Sequence, residues 1–284
     1  MNLYKTKQGI ILQNDGKSYI LKGEWDSLVN RNNLFQFLSG ELKTILRIDK
    51  EEFEEMCNTG IQAPIGNQEV WASGVTYLKS RDARMEESQS SGGADFYDKV
   101  YHAERPELFF KALPHRVAAH HEQVYIRQDS AWNVPEPELT LFINSNGDIQ
   151  AYTIGNDMSS RDIEGENPLY LPQAKVYERS AALGPCLYVP EHPISTDTLI
   201  SIVIKRGAQE MFKDSLQLNR MKRTLTELAA YLFRECAFPY GCFLMTGTGM
   251  VPPPSFTLNQ GDVVDITIEG IGTLSNVVAL SGRM

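Results

Sequence analysis

Two glutamates framed by prolines, Pro135-Glu136-Pro137-Glu138, open the apolar run Leu139-Thr140-Leu141-Phe142-Ile143. Side chains at i and i+2 of a strand share one face. Glu136 and Glu138 therefore present two carboxylates side by side. A second run, Tyr152-Thr153-Ile154-Gly155-Asn156, closes on Asp157. A third carboxylate from the neighbouring strand makes an all-oxygen cluster suited to a hard divalent cation such as Mg²⁺, with Mn²⁺ accepting the same donors. Three unpaired carboxylates at one sheet edge repel one another, and a cation removes that cost. Alone, an E-x-E at a strand start is usually a solvated edge. The flanking prolines and the downstream Asn156-Asp157-Met158-Ser159-Ser160-Arg161-Asp162 favour the metal reading.

The chain has 284 residues, room for one large domain and a small one. Its formal net charge of −9 argues against nucleic acid or an anionic membrane as the main partner. An anionic substrate then needs a local positive centre, which a bound cation supplies. The four cysteines, Cys57, Cys186, Cys236 and Cys242, form no C-x-x-C pair and no zinc spacing. They read as free thiols in a reducing cytosol. The N-terminal residues show no apolar run of signal-peptide length, no stretch approaches a membrane span, and the expected compartment is cytoplasmic.

Residues 1–66 read as a small α+β unit. Gly9–Leu12 and Tyr19–Leu21 flank Asn14-Asp15-Gly16, a β-hairpin signature. A broken helical spacing follows from Ser27 to Leu46, then a short acidic helix from Glu51 to Cys57. Ala63–Gly66 is the expected linker to a larger, mostly β domain over 67–284. Within it, Val70–Tyr77 reads as a strand and Lys79–Glu87 as a charged helix. The segment Ser88–Ala94 has the composition of a mobile loop and is a candidate lid. A helix is expected near Leu216–Phe233, with Leu218, Met221, Leu225, Leu228, Ala229 and Leu232 on one stripe. The C-terminal segment from Gly261 to Leu274 reads as a hairpin.

Taken in order, Pro135–Leu139, Gly155–Asp162, Gln173-Ala174-Lys175, Leu183-Gly184-Pro185, Thr246-Gly247-Thr248 and Leu258–Val264 resemble the fumarylacetoacetate hydrolase superfamily over roughly residues 68–284. That resemblance implies an α+β, mostly β fold, a mixed β-sandwich or roll. It implies Glu136, Glu138 and Asp157 as metal ligands, Lys175 as the active-site lysine facing substrate, Thr248 in the substrate pocket, and a homo-oligomer, dimeric or tetrameric. Hydrolytic members carry a water-activating His and Glu where this chain has Ser80 and Ala83, which puts C–C hydrolysis in doubt. Trp71–Gly74, Arg105–Lys111, Ser130-Ala131-Trp132 and Glu166–Gln173 are similar to a narrower branch, the 2-keto-3-deoxy-D-arabinonate dehydratases.

The expected substrate is a small 2-oxo acid. Its carboxylate and keto oxygens chelate one Mg²⁺, which acidifies the C3 proton; a base removes that proton and the C4 hydroxyl leaves. The expected activity is dehydration of a 2-keto-3-deoxy pentonate to 2-oxoglutarate semialdehyde. Hydrolysis of acylpyruvates or diketo acids, isomerisation or decarboxylation of 2-oxo dienoates, and a non-catalytic metal-binding sensor are the alternatives. Glu107 and Lys175 are the candidates for proton transfer; Glu107 stands beside Phe109-Phe110, and an apolar wall raises a carboxyl pKa. Arg161, Lys111 and Thr248 are the candidate substrate contacts. Arg161 and Asp162 are also read as an ion pair bracing the metal loop.

Overall fold

The computed structural model describes residues 1–87 and 94–282. The stretch read as a lid lies, except for Ala94, outside these residues.

The described chain is α+β and mostly β. Its central sheet runs, strand by strand, Leu46–Ile48, Lys17–Leu21, Gly9–Asn14, Asn2–Thr6, Ala181–Tyr188, Ile149–Asp157, Pro137–Ile143, Cys242–Met245, Glu69–Gly74 and Glu107–Ala112. Val117–Ala118 joins it alongside Ala181–Tyr188. A second sheet orders Gln209–Gln217, Leu199–Arg206, Val263–Ile268, Gly272–Leu280 and Gln123–Ile126.

The central strands are apolar without alternation because both faces are covered. Every residue of Pro137–Ile143 is buried. Leu139, Leu141 and Ile143 point toward the second sheet and pack with Ile202, Val264 and Ile266. Phe142 points the other way and packs with Leu34, Leu38, Val70 and Phe243. Truncating such a side chain to alanine costs roughly 3–5 kcal/mol. The N-terminal strands extend this same sheet: Leu3 pairs with Leu187, and Leu3, Leu12 and Leu28 share the second cluster with Ala112 and Met245. Among the described residues, no helix is long and apolar enough to cross a membrane.

The expected hairpin forms between Gly9–Asn14 and Lys17–Leu21. Asp15 and Gly16 both take positive φ, 49° and 70°, as the two-residue turn requires. The broken spacing after Ser27 resolves into two helices, Trp25–Val29 and Leu34–Glu41. Asn33 separates them in the left-handed region at φ 54°. The acidic helix runs Lys50–Gly60, capped by the Asp49 side chain on the Glu52 N–H.

The long helix expected near Leu216–Phe233 is shorter. Gln209–Gln217 is a strand paired with Leu199–Arg206, and only Leu225–Leu232 is α-helical. Thr224 and Glu227 form a reciprocal capping box that fixes where that helix starts. Upstream, Leu216 and Gln217 end the paired strand, and Leu218–Arg220 is a 3₁₀ turn.

Candidate active site

Sheet register builds the site. Glu136 and Asp157 exchange backbone hydrogen bonds of 3.1 and 3.0 Å, so they stand directly opposite each other. Glu138 lies two residues along, opposite Gly155. Opposed residues and i+2 neighbours share a face, which brings the three carboxylates together. One oxygen from each lies within 4.8 Å of the others, and all three residues are buried. On the same face, two strands further on, Gly74 pairs with Glu107. Gly74 leaves room for the Glu107 carboxyl: a Cβ there would stand 2.0 Å from Glu107 Oε2. Phe109 and Lys111 follow Glu107 at i+2 and i+4 and face the same way.

Lys175 is delivered from above the sheet. Asn167 caps the 3₁₀ turn Pro168–Tyr170, and the helix Leu171–Lys175 ends on the lysine. Its ammonium donates to Glu136 Oε2 at 2.6 Å, Asp157 Oδ2 at 3.1 Å and Ser159 Oγ at 2.6 Å. Thr248, Phe109 and Ser80 complete the lining with Gly74 and Gly247. Val75, also in the lining, holds φ 54°. For a β-branched residue this is a strained conformation of the kind that clusters at functional sites.

Two of the expected substrate contacts are turned toward the protein. Lys111 is fully buried; it pairs with Asp157 Oδ1 at 2.5 Å and donates to the carbonyls of Met158 and Lys175. Arg161 is 1% exposed and donates to Glu136 Oε1 at 2.8 Å. Both hold carboxylates of the three-acid cluster from the protein side. Asp162 accepts from Ser130 Oγ, Ser160 Oγ and the N–H groups of Ala131 and Ile163, while Arg161 reaches Glu136.

Sequence reasoning missed Arg84 and Glu164. Arg84 lies one turn beyond Ser80 on the helix Leu78–Glu87, ion-pairs with Glu164 and comes within 3.5 Å of Glu136 Oε1. The available signal was the i, i+4 spacing of Ser80 and Arg84, which puts both on the pocket side of a charged helix.

The electrostatics separate the carboxyls. Burial pushes Glu136 up, but Lys175, Arg161 and Arg84 outweigh it and hold the group well below the usual carboxylate range. Burial, then repulsion from Asp157 and Glu136, pushes Glu138 well above that range. Burial also raises Glu107, opposed by Arg84 and Lys175. Burial drives the Lys111 ammonium down to about 8 despite Asp157. Glu138 accepts from the Gly247 N–H at 2.6 Å and from no cationic side chain among the described residues. A divalent cation fits this set: the donors are hard oxygens, and Glu138 lacks the positive partner its two neighbours have.

The family model for the fumarylacetoacetate (FAA) hydrolase C-terminal domain matches residues 70–279. The chain is 48% identical over 216 residues to a probable 2-keto-3-deoxyxylonate dehydratase of Haloferax volcanii, covering 76% of this chain and 73% of that protein. It is 44% identical over 218 residues to the 2-dehydro-3-deoxy-D-arabinonate dehydratase of Saccharolobus solfataricus, covering 75% and 72%. A solved 2-keto-3-deoxy-D-arabinonate dehydratase complexed with magnesium and 2,5-dioxopentanoate superposes with a TM-score of 0.83 at 33% identity, covering 99% of both chains. The opposed strands that gather the carboxylates, and the matching sequence around them, place this chain in the fumarylacetoacetate hydrolase family.

Proposed function

We propose that the protein is a Mg²⁺-dependent dehydratase of a 2-keto-3-deoxy sugar acid, 2-dehydro-3-deoxy-D-arabinonate or a similar pentonate, giving 2-oxoglutarate semialdehyde. One observation carries the reading: a buried three-carboxylate cluster shares a sheet face with Glu107, a carboxyl raised by burial, and with the Lys175 ammonium. The relatives named as dehydratases support it.

A divalent cation held by Glu136, Glu138 and Asp157 would withdraw electrons from the C2 carbonyl of a 2-oxo acid and make its C3 proton acidic. Lys111 and Arg161 orient two of those carboxylates, and Gly247 N–H orients the third. Glu107 and Lys175 divide the proton transfers: one takes the C3 proton, the other assists departure of the C4 hydroxyl as water, and the C3=C4 alkene left behind becomes the semialdehyde when a proton moves from C5 to C3 and the C5 enol ketonises. Such transfers contribute typically ~10²–10⁴-fold. Thr248 and the Gly247 backbone line the side on which the acid's carboxylate would lie. Mg²⁺ is the inferred cation on its preference for carboxylate oxygen and on the magnesium complex of a relative; Mn²⁺ suits the same donors.

C–C hydrolysis needs a base to activate water. On the helix Leu78–Glu87 the Ser80 hydroxyl instead donates to Tyr77 O at 2.8 Å, and Ala83 lines a separate surface groove with Trp132 and Pro252. Four free cysteines support a reducing, cytoplasmic setting, and the family resemblance supports a homo-oligomer.

The test is incubation of the purified protein with 2-keto-3-deoxy pentonates and Mg²⁺, followed by NMR. Semialdehyde should accumulate and chelator should stop it. Cleavage into two acids would favour the hydrolase, and no product from any such acid would reject the dehydratase.

A further inference from the structure

Beyond Glu107, at the edge of the central sheet, lies a cavity of about 640 Å³. Phe96, Val100, Leu108, Leu169 and Leu171 form its apolar walls. Its polar side chains are Tyr97, Asn167 and Glu107, and Asn167 Oδ1 already accepts the Leu169 N–H at 2.9 Å. Glu107 is the partition: it lines this cavity, while its carboxyl lies over Gly74 in the wall of the carboxylate site. Phe96 and Leu169, 63% and 83% exposed, both line this one cavity and make its rim an exposed apolar patch.

A pentonate ends in a hydroxymethyl group, which needs hydrogen-bond partners; seven of the cavity's ten described lining residues are apolar and supply no side-chain partner. The volume is in the range of whole ligand pockets, far more than one terminal carbon fills. We propose that this cavity is a tail subsite, which extends the substrate class to 2-oxo-3-deoxy acids bearing an apolar group beyond C5. The inference rests on the dehydratase reading for the bond changes: the water lost carries the C4 hydroxyl and the C3 proton, and the tail takes no part.

Unreactive straight-chain 2-oxo acids separate the subsite from the chemistry. Calorimetric titration of the Mg²⁺-loaded protein with pyruvate, 2-oxopentanoate, 2-oxohexanoate and 2-oxoheptanoate should show affinity rising about fourfold for each methylene that enters the cavity. In Leu169→Asp, whose exposed site spares the fold, the gain should fall below twofold. Turnover of pentonates is measured in parallel. A tail-length gain without turnover would remove the dehydratase and leave the subsite. Turnover with no gain, or a gain unchanged in Leu169→Asp, would overturn the subsite. Flat affinity together with a smaller assembly for Leu169→Asp would assign the apolar wall to a second copy of the chain and equally overturn it.

Discussion

Lys111 Nζ stands 2.5 Å from Asp157 Oδ1, with side chains 0% and 1% exposed. The pair is locked by geometry. Lys111 lies on the sheet-edge strand Glu107–Ala112, Asp157 at the end of Ile149–Asp157, and the lysine also ties down the Met158 and Lys175 carbonyls. It thereby joins the strand that ends on Asp157 to the helix that delivers Lys175.

Removing one partner of a buried ion pair leaves the other charge uncompensated, which typically costs 3–5 kcal/mol. Lys111→Met is therefore expected to lower unfolding free energy by about that amount. Saturating Mg²⁺ should recover part of it by supplying Asp157 with another cation. Urea denaturation with and without Mg²⁺ measures both; a loss under 1 kcal/mol would contradict a bracing role.

Gly74→Ala separates position from presence. The new Cβ would meet Glu107 Oε2 at 2.0 Å. A carboxylate at the end of a flexible side chain can swing away, so stability should change by less than about 1 kcal/mol. A misplaced proton-transfer group costs rate, on the order of 10²-fold in kcat. Kinetics alongside thermal melts decide: unchanged kcat would remove Glu107 from proton transfer.

Glu138 links metal binding to pH. Burial, reinforced by Asp157 and Glu136, raises its carboxyl well above the ordinary range, which favours the protonated form when no cation is bound. A cation needs the carboxylate, so binding releases a proton. Mg²⁺ affinity should rise with pH until that carboxyl ionises unaided, then level off. Titrations in buffers of different ionisation enthalpy should report net proton release on Mg²⁺ binding. Glu138→Gln should abolish both the release and most of the affinity.

Away from the site, His120 gives an acid-side stability change. Burial, then the neighbouring His121, lowers its pKa from 6.5 to about 4, and Nδ1 accepts the Ser275 N–H at 3.0 Å. The unfolded chain therefore binds the extra proton between about pH 6.5 and 4. Stability from this group is fully present above that window and is lost as pH falls through it. Because the ring is only half-buried, the effect should be about 1 kcal/mol. His120→Asn, which keeps an acceptor for Ser275, should flatten melting temperature against pH over this range; an unchanged slope would assign the dependence to other groups.

The sequence alone carried the carboxylate pattern, since E-x-E before a buried run and an aspartate ending the next run need only strand periodicity to share a face. It also carried the Asp15-Gly16 hairpin, because positive φ at both residues selects those side chains. Tertiary structure decided what those local rules could not. Lys111 and Arg161 are charged residues whose partners lie 46 and 25 positions away in the chain, so only the assembled sheet shows them facing carboxylates rather than solvent or substrate. Arg84 was hidden for the same reason: its helix is polar by composition, and only its packing on Glu136 and Glu164 distinguishes the buried charge from its exposed neighbours. Leu218 and Met221 fit a helical stripe locally, yet the chain there is a 3₁₀ turn, Leu218–Arg220, that follows directly on Leu216 and Gln217, which pair with Ile200 and Leu199. Periodicity is a property of neighbours along the chain, whereas desolvation and ion pairing are set by neighbours in space.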